Sequence, residues 1–372
     1  MLDLASGLST RGWEPVIACN ARTVADEAAA LQIRTVIIGT SERAGPLPRR
    51  RDVAAFRAII AEVAPDVVHV NSAPSFSAVA VSGMLARVPV LVHQHILDDE
   101  FSRLYSLMHQ AAAIVTISDV ACAAVARDGY PAHRLHRIPN GVQLRTTGAN
   151  ISVRALIGAA PQEPVVVSVG SLIHRKGHDR TLAALAIALE RVPALHLALI
   201  GSGPEESALR DVANTLGVAK HVHFLGQRSD IQDLLRTADL FVTGAREEVQ
   251  PLSVIEAMLC GLPVIASDIT AHTEMVEANV TGLLIDADDP RQFGHAVANA
   301  AMDAVWRSAA RERLIASAPE RYSFDRYLER FSNLYTALLS VPRHRYGFPR
   351  ALRWMPGYTT WLKGAAGRRL TP

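Results

Sequence analysis

Short apolar runs rich in β-branched residues alternate with longer segments of helical period along almost the whole chain, which is the pattern of βα units and parallel sheets. In the first third, Pro15 to Cys19, Thr35 to Ile38, Asp66 to Val70, Val88 to His93 and Ala113 to Ile117 predict strands. Helical patterns at about Val53 to Val63, Ser75 to Ala86 and Asp119 to Arg127 separate most of them. Near Pro139-Asn140-Gly141 the pattern breaks, and a polar stretch, Thr146 to Asn150, follows. A second set of strands then begins with Val165 to Val169, Leu195 to Ile200 and His221 to Leu225, and continues with Leu240 to Thr243, Pro263 to Ser267 and Gly282 to Ile285. Helices lie between them, and Ser323 to Leu339 forms a last long one. The expectation is an α/β chain of two Rossmann-like, doubly wound domains, 1–148 and 149–322, with a terminal helix and tail over 323–372. A length of 372 residues fits two domains at about 150 residues each.

Composition narrows the class. Hydrophobic residues make up 49% and charged residues 20% of the chain, as in globular proteins. The most apolar stretch, Phe76 to His93, is interrupted by Arg87 and Pro89, so no membrane span is predicted. With no signal peptide visible, the expected location is cytoplasmic. Cys19, Cys122 and Cys260 lie far apart in apolar surroundings, which predicts reduced, buried thiols and neither a disulfide framework nor a zinc site. The net charge of +2 conceals an asymmetry, because Val341 to Pro372 holds seven basic residues and no acidic one. That tail also carries Tyr346, Phe348, Trp354, Tyr358 and Trp361, a mixture suited to peripheral contact with an anionic membrane. Packing on the N-terminal domain, or disorder, explains it equally well. Nothing elsewhere supports nucleic-acid binding.

The chemistry concentrates in Ala238 to Asp268. A buried strand there leads into a polar loop with Glu248, then into a helix opened by Pro251 at its first turn, carrying Glu256 and closed by Gly261. Free backbone N–H groups at that helix start favour an anion such as a diphosphate, whereas the two glutamates favour hydroxyls. Diphosphate plus hydroxyls describes a nucleotide-sugar.

This stretch resembles the E-x7-E motif of the retaining, group 1 glycosyltransferases of the GT-B fold. Further family signatures stand in the family's order: Ile138-Pro-Asn-Gly-Val142, Val169-Gly-Ser-Leu-Ile-His-Arg-Lys-Gly177, Leu199-Ile-Gly-Ser-Gly-Pro-Glu205, Val222-His-Phe-Leu-Gly226 and Thr281-Gly-Leu-Leu-Ile285. The resemblance is dense from Ile114 to Ile285 and looser before it. It implies two domains facing a cleft, with the N-terminal one presenting an acceptor and the C-terminal one binding a nucleotide-sugar. Its last helices are expected to cross back to the N-terminal domain. It also implies front-face retention, in which the departing phosphate oxygen takes the acceptor proton, with no cofactor, no metal and no dedicated protein base.

Carried over residue by residue, the resemblance makes Lys176 a phosphate cation. The family arginine directly after Gly170 is replaced by Ser171, and Arg175 stands near enough in sequence to supply the charge. Glu256 is expected on ribose hydroxyls and Glu248 on hydroxyls of the transferred sugar. Pro251, Leu252 and Ser253 form the helix start facing the diphosphate. Gly201 and Gly203 line the nucleotide cleft and allow close backbone approach; the GxGxxG fingerprint of dinucleotide sites fails because its sixth position is Glu206. Gln227 and Arg228 border the nucleobase, or form a plain βα turn. His93 and His95 end a strand near the expected acceptor, His93 fitting the family position better, and a strand-end histidine bonded to its neighbours is an equal alternative. His221 and His223 lack the companions of a metal site, and Asp286-Ala-Asp288 reads as a helix-capping loop. Ser118 and Asn140-Gly141 fall in family-like turns near the hinge and are expected to serve structure, with phosphate binding an alternative for Ser118 at a strand end that opens a helix.

Two features depart from the family. Val249-Gln250 replaces the usual Gly-Phe, which predicts a different loop path. Met1 to Gly12 reads as a helix with no strand or glycine-rich turn before it. Because the missing strand would be central, its loss should split the sheet and leave two open edges. The expected natural start lies roughly 15 to 25 residues upstream, one strand plus one loop. These departures and Ser171 sustain an alternative, a catalytically impaired or truncated partner subunit. A GT-B epimerase is a third reading, disfavoured by the two-glutamate block.

Overall fold

The computed structural model describes residues 1–39, 48–71, 76–95, 110–145 and 151–346. The chain divides into two compact units, Met1–Ile138 with Leu328–Pro372, and Pro139–Tyr327. The tail's aromatic and basic residues beyond 346 and the polar stretch 146–150 lie outside the described residues.

In unit 1, α1 (Leu2–Ser9), β1 (Val16–Cys19), α2 (Arg22–Ala30), β2 (Arg34–Ile37) and α3 (Arg50–Val63) precede β3 (Val68–Val70) and α4 (Phe76–Ala86). Then come β4 (Val90–Gln94), β5 (Ala113–Thr116), α5 (Asp119–Arg127) and β6 (Leu135–Arg137). The strands form two parallel sheets, β1-β2 and β3-β4-β5-β6. Among the described residues β1 pairs only with β2, and β3 only with β4, the split expected of a doubly wound sheet without a central strand. Helix α1 has no side-chain cap at Met1. Helix α4 is buried from Phe76 to Met84, as expected of a helix with no polar face. Among the described residues no helix is long and apolar enough to cross a membrane.

Unit 2 follows with α6 (Val153–Ile157), β7 (Val165–Val169), α7 (His178–Leu189), β8 (His196–Ile200), α8 (Glu206–Thr215), β9 (Val222–Phe224) and α9 (Ile231–Arg236). Next are β10 (Leu240–Thr243), α10 (Leu252–Leu259), β11 (Val264–Ser267), α11 (Thr270–Thr273), β12 (Gly282–Ile285), α12 (Pro290–Met302) and α13 (Ala304–Tyr322). Its parallel sheet has the order β12-β11-β10-β7-β8-β9. Strand residues alternate between two cores. Val166, Leu197, Leu199, Leu240 and Val242 pack with Leu182 and Phe293 on one face. Val165, Val167, Ala198 and Phe241 pack with Ile255, Met258 and Leu314 on the other. A period of two with both faces covered explains why these strands read as unbroken apolar runs. Each fully buried leucine or phenylalanine stabilises the fold by about 1.5–3 kcal/mol.

The chain leaves unit 2 within α14 (Phe324–Ser340). In unit 1, Trp13 Nε1 donates to Ser332 Oγ at 3.0 Å, and its ring meets Tyr335 edge-on at 5.2 Å. The three cysteines are free, but only Cys260 is buried, while Cys19 and Cys122 are half-buried. Cys19 ends the short strand β1, Cys122 stands on α5, and Cys260 closes α10 against the unit 2 core.

Candidate donor site at the switch point of unit 2

From β7 the chain proceeds to β8 and β9 on one side, then returns to build β10, β11 and β12 on the other. The reversal falls between β7 and β10, and in open α/β sheets the crevice beyond the strand ends at such a point is where ligands bind. The loop after β7 carries Arg175 and Lys176, and the loop after β10 carries Glu248. Their backbones meet at a glycine pair. Gly177 has φ +62°, and a Cβ there would stand 2.0 Å from the Gly244 carbonyl oxygen, so no side chain fits. A second close approach joins β7 to β8, where a Cβ on Gly201 would fall 2.0 Å from the Gly170 oxygen. Gly203 packs in the same way against the Leu172 backbone.

Glu248 collects both cations: Arg175 Nη1 lies 3.0 Å from Oε2, and Lys176 Nζ donates to Oε1. The carboxylate is 7% exposed, so these partners offset a desolvation that would otherwise be costly. Arg175 also donates to the Glu247 carbonyl at 2.9 Å. Sequence reasoning missed Arg246. Its backbone N–H donates to the Arg175 carbonyl at 2.9 Å, and its guanidinium forks onto Asp179 at 2.8 and 2.6 Å. The hydrogen bonds from Arg246 hold the Asp179 carboxyl below the usual range. An arginine immediately before two glutamates was the available signal.

Pro251 is the N-cap residue of α10, one position before the expected first turn, and no side chain caps that helix start. The difference follows from its backbone, φ -68° and ψ 122°, which is extended. The exposed Leu252 and half-buried Ser253 follow it. On the second turn, Glu256 accepts from Gln232 Nε2 at 3.3 Å. Burial raises its pKa, and the Gln232 bond opposes that rise. Gln232 also donates to the Gln143 carbonyl at 3.2 Å and accepts from Arg145 N–H, so one amide ties Glu256 to the segment entering the unit. Gln250, buried, accepts from the Asn140 N–H at 2.6 Å. That bond accounts for the polar side chain at this position: the loop is anchored through Gln250 to the turn Pro139-Asn140-Gly141. Gly141 itself packs against Tyr327.

The other expected site residues are less engaged. Ser171 is exposed, and its carbonyl faces His178 Nε2 at 3.2 Å. Gln227 is exposed. Arg228 forks onto Asp230 at 2.8 and 2.6 Å beside the start of α9. In unit 1, His93 on β4 meets His95 with ring centroids 3.9 Å apart and planes tilted by 42°, and His95 Nε2 lies 2.7 Å from Asn71 Oδ1. His69, which the pattern did not single out, bonds the Tyr335 hydroxyl at 2.6 Å and stacks on Phe331 at 5.3 Å. Burial first, and neighbouring charge second, lower these histidines, His69 to about 3 and His95 to about 4, with His93 also well below normal.

The remaining polar patterns have structural partners. Ser118 caps α5 by accepting from Ala121 N–H at 3.2 Å. Asp289 caps α12, Asp286 accepts from the Asp288 N–H, and Asp288 pairs with Arg180. His223 meets His196 at 3.2 Å, and His196 meets Glu163 at 3.3 Å. Among the described residues no group of three or more His, Cys, Asp or Glu is arranged to hold a metal ion.

Comparison with known proteins agrees with this architecture. A family model described as glycosyl transferases group 1 matches residues 153–321, and one for glycosyltransferase family 4 matches residues 1–146. The lipopolysaccharide core biosynthesis glycosyltransferase LpsE of Rhizobium meliloti is 30% identical over 45% of this chain and 48% of its own length. A GDP-mannose-dependent alpha-(1-6)-phosphatidylinositol monomannoside mannosyltransferase of Mycobacterium tuberculosis is 32% identical over 46% of this chain and 48% of its own. The chain thus spans about half the length of these curated relatives. Among solved structures, Anabaena HepE in complex with UDP aligns with a TM-score of 0.78 at 22% identity, covering 90% of this chain and 94% of HepE. A glycosyltransferase from Rickettsia africae aligns at 0.81 and 16%, covering 92% and 94%; both similarities speak to the fold. With adjoining glycosyltransferase models over both units, on the fold of solved GT-B enzymes, the chain belongs to the group 1 glycosyltransferases.

Proposed function

We propose that this protein is a retaining, metal-independent glycosyltransferase that moves a sugar from a nucleoside-diphosphate sugar to a hydroxyl of a lipid-linked glycan or growing polysaccharide. The observation that carries this reading is the convergence of Arg175, Lys176 and Glu248 at the sheet's reversal point. Two cations suit a departing diphosphate, and the uncapped start of α10 adds N–H donors. Glu256 suits ribose hydroxyls from within α10, and Glu248 suits those of the transferred sugar. In front-face retention the bond from the anomeric carbon to the diphosphate oxygen breaks as the acceptor oxygen bonds on the same face. The departing oxygen takes the acceptor proton, so we assign no protein base. We assign the acceptor to unit 1, where neutral His93 and His95 can bond hydroxyls without adding charge.

The relatives' names support the substrate classes: UDP for HepE, GDP-mannose and a phosphatidylinositol glycoside for the mycobacterial enzyme, and lipopolysaccharide core for LpsE. The test is a calorimetric and thermal-shift panel of sugar nucleotides. At least one is expected to bind, and Glu256→Gln is expected to weaken it about tenfold, the loss of roughly one charged hydrogen bond. Glu256→Gln should also raise the melting temperature at neutral pH. A carboxylate whose folded pKa is raised stabilises the fold only below its unfolded pKa, and the charge destabilises as pH rises through the folded value. A panel without binding overturns the reading.

A further inference from the structure

The imidazole of His272, on α11 just past β11, is a buried titratable group beside the donor cluster to which the proposed reaction gives no task. None of its surface is exposed. Its Nδ1 lies 2.8 Å from the Ser267 carbonyl oxygen, which places the ring proton on Nδ1. Ser267 Oγ donates to the Ala245 carbonyl at 2.6 Å, at the root of the loop that carries Glu248. Nε2 is buried without a hydrogen-bond partner, in an interior where polar atoms are nearly always paired. The charged groups acting on the ring are Glu248 and Lys176. Burial first, with Lys176, lowers its pKa, and the Ser267 carbonyl and Glu248 oppose that; the ring is neutral at neutral pH.

We propose that His272 is a positioning residue for Glu248 that takes up a proton from solvent on Nε2 when a diphosphate binds, coupling donor binding to protonation. The proposal rests on the donor-site reading above. Without donor, Arg175, Lys176 and Glu248 sum to one net positive charge. A sugar diphosphate adds two negative charges, which leaves one net negative charge and draws both cations toward phosphate. Glu248, 7% exposed, then keeps the sugar hydroxyls but is a buried carboxylate without a compensating cation. A protonated His272 restores neutrality and gives its orphan nitrogen an N–H to share. Binding therefore raises the ring's proton affinity, and by linkage donor affinity rises as pH falls, by at most about tenfold per pH unit.

The experiment is isothermal titration of the full chain with the tightest-binding sugar nucleotide from a panel led by UDP-glucose and GDP-mannose, in buffers of different ionisation heat from about pH 6 to pH 8, the range flanking the free histidine value. These diphosphate diesters have no group of their own titrating there. Uptake approaching one proton per donor is expected, with affinity tightening on acidification. His272→Asn retains an amide N–H for the Ser267 carbonyl and should bind donor without that uptake. His178, also near Lys176, is the competing imidazole, so His178→Asn should keep the uptake. No uptake in the native protein, uptake surviving in His272→Asn, or its loss in His178→Asn overturns the proposal. Absence of any donor binding overturns the donor reading and this inference together.

Discussion

At the end of β10 in unit 2, Glu248 holds two cations in a network that continues through Arg246 to Asp179. At the end of β4 in unit 1, His93 and His95 lie ring to ring as neutral groups beside His69, Phe331 and Tyr335. Both clusters sit where parallel strands deliver side chains to loops, yet they satisfy burial in opposite ways. In the charged cluster opposite charges compensate one another. The histidine cluster sheds its charge because burial disfavours a cation and neighbouring positive charge repels one. A strand-end position is therefore insufficient to assign a role: the neighbours decide whether a polar group works as a charge or as a neutral hydrogen-bonding surface.

The comparison breaks most visibly through packing. Phe331, fully buried against His69 and His93, should cost about 3–5 kcal/mol of stability as Phe331→Ala in a denaturant melt, with donor binding by the folded fraction unchanged. Lys176→Ala should show the reverse: a fall of about 10²–10³-fold in kcat/KM for transfer, the usual cost of losing a group that stabilises the departing charge, with a smaller loss of stability than Phe331→Ala because Arg175 stays on Glu248. If both substitutions act alike, the contrast between the clusters is wrong. Acid sharpens it further. A histidine whose folded pKa is depressed contributes stability that is present above the unfolded value and lost as pH falls toward the folded one. His69 and His95 should therefore cost stability from about pH 6.5 down toward 3 and 4, by up to about 1.4 kcal/mol per pH unit each. His69→Phe should flatten that slope in pH-dependent melts. The smallest effect is expected from Gln250→Leu, which removes the acceptor for the Asn140 N–H and should cost about 1–3 kcal/mol by thermal denaturation. An unchanged melting temperature would mean the loop is not anchored there.

Much of this was legible along the chain. Strands β7, β10 and β12 and helix α5 occupy the spans their apolar periods predict: β7 and β10 are buried on both faces and leave unbroken apolar runs, and a capped amphipathic helix marks its own ends. Boundaries moved where local signals were weak: α3 begins at Arg50, three residues before Val53, in a run of arginines that apolar periodicity cannot register. Glu248, Lys176 and Arg175 were found together because each stands in a recognisable local context. His69, Arg246, Gln232 and His272 were not, since their partners lie on other elements.

What the sequence alone determined is the order of βα units, the two-part division of that pattern and the residue types gathered at its strand ends, all of which follow from periodicities of two and 3.6 residues and from glycine and proline punctuation. Only the tertiary structure decided which of those residues meet. Gly177 lies against Gly244, Glu248 takes both cations, Gln250 reaches Asn140, and Nε2 of His272 is buried without a partner. Charge state and hydrogen bonding depend on distances between elements far apart in sequence, and only sheet order and packing set those distances.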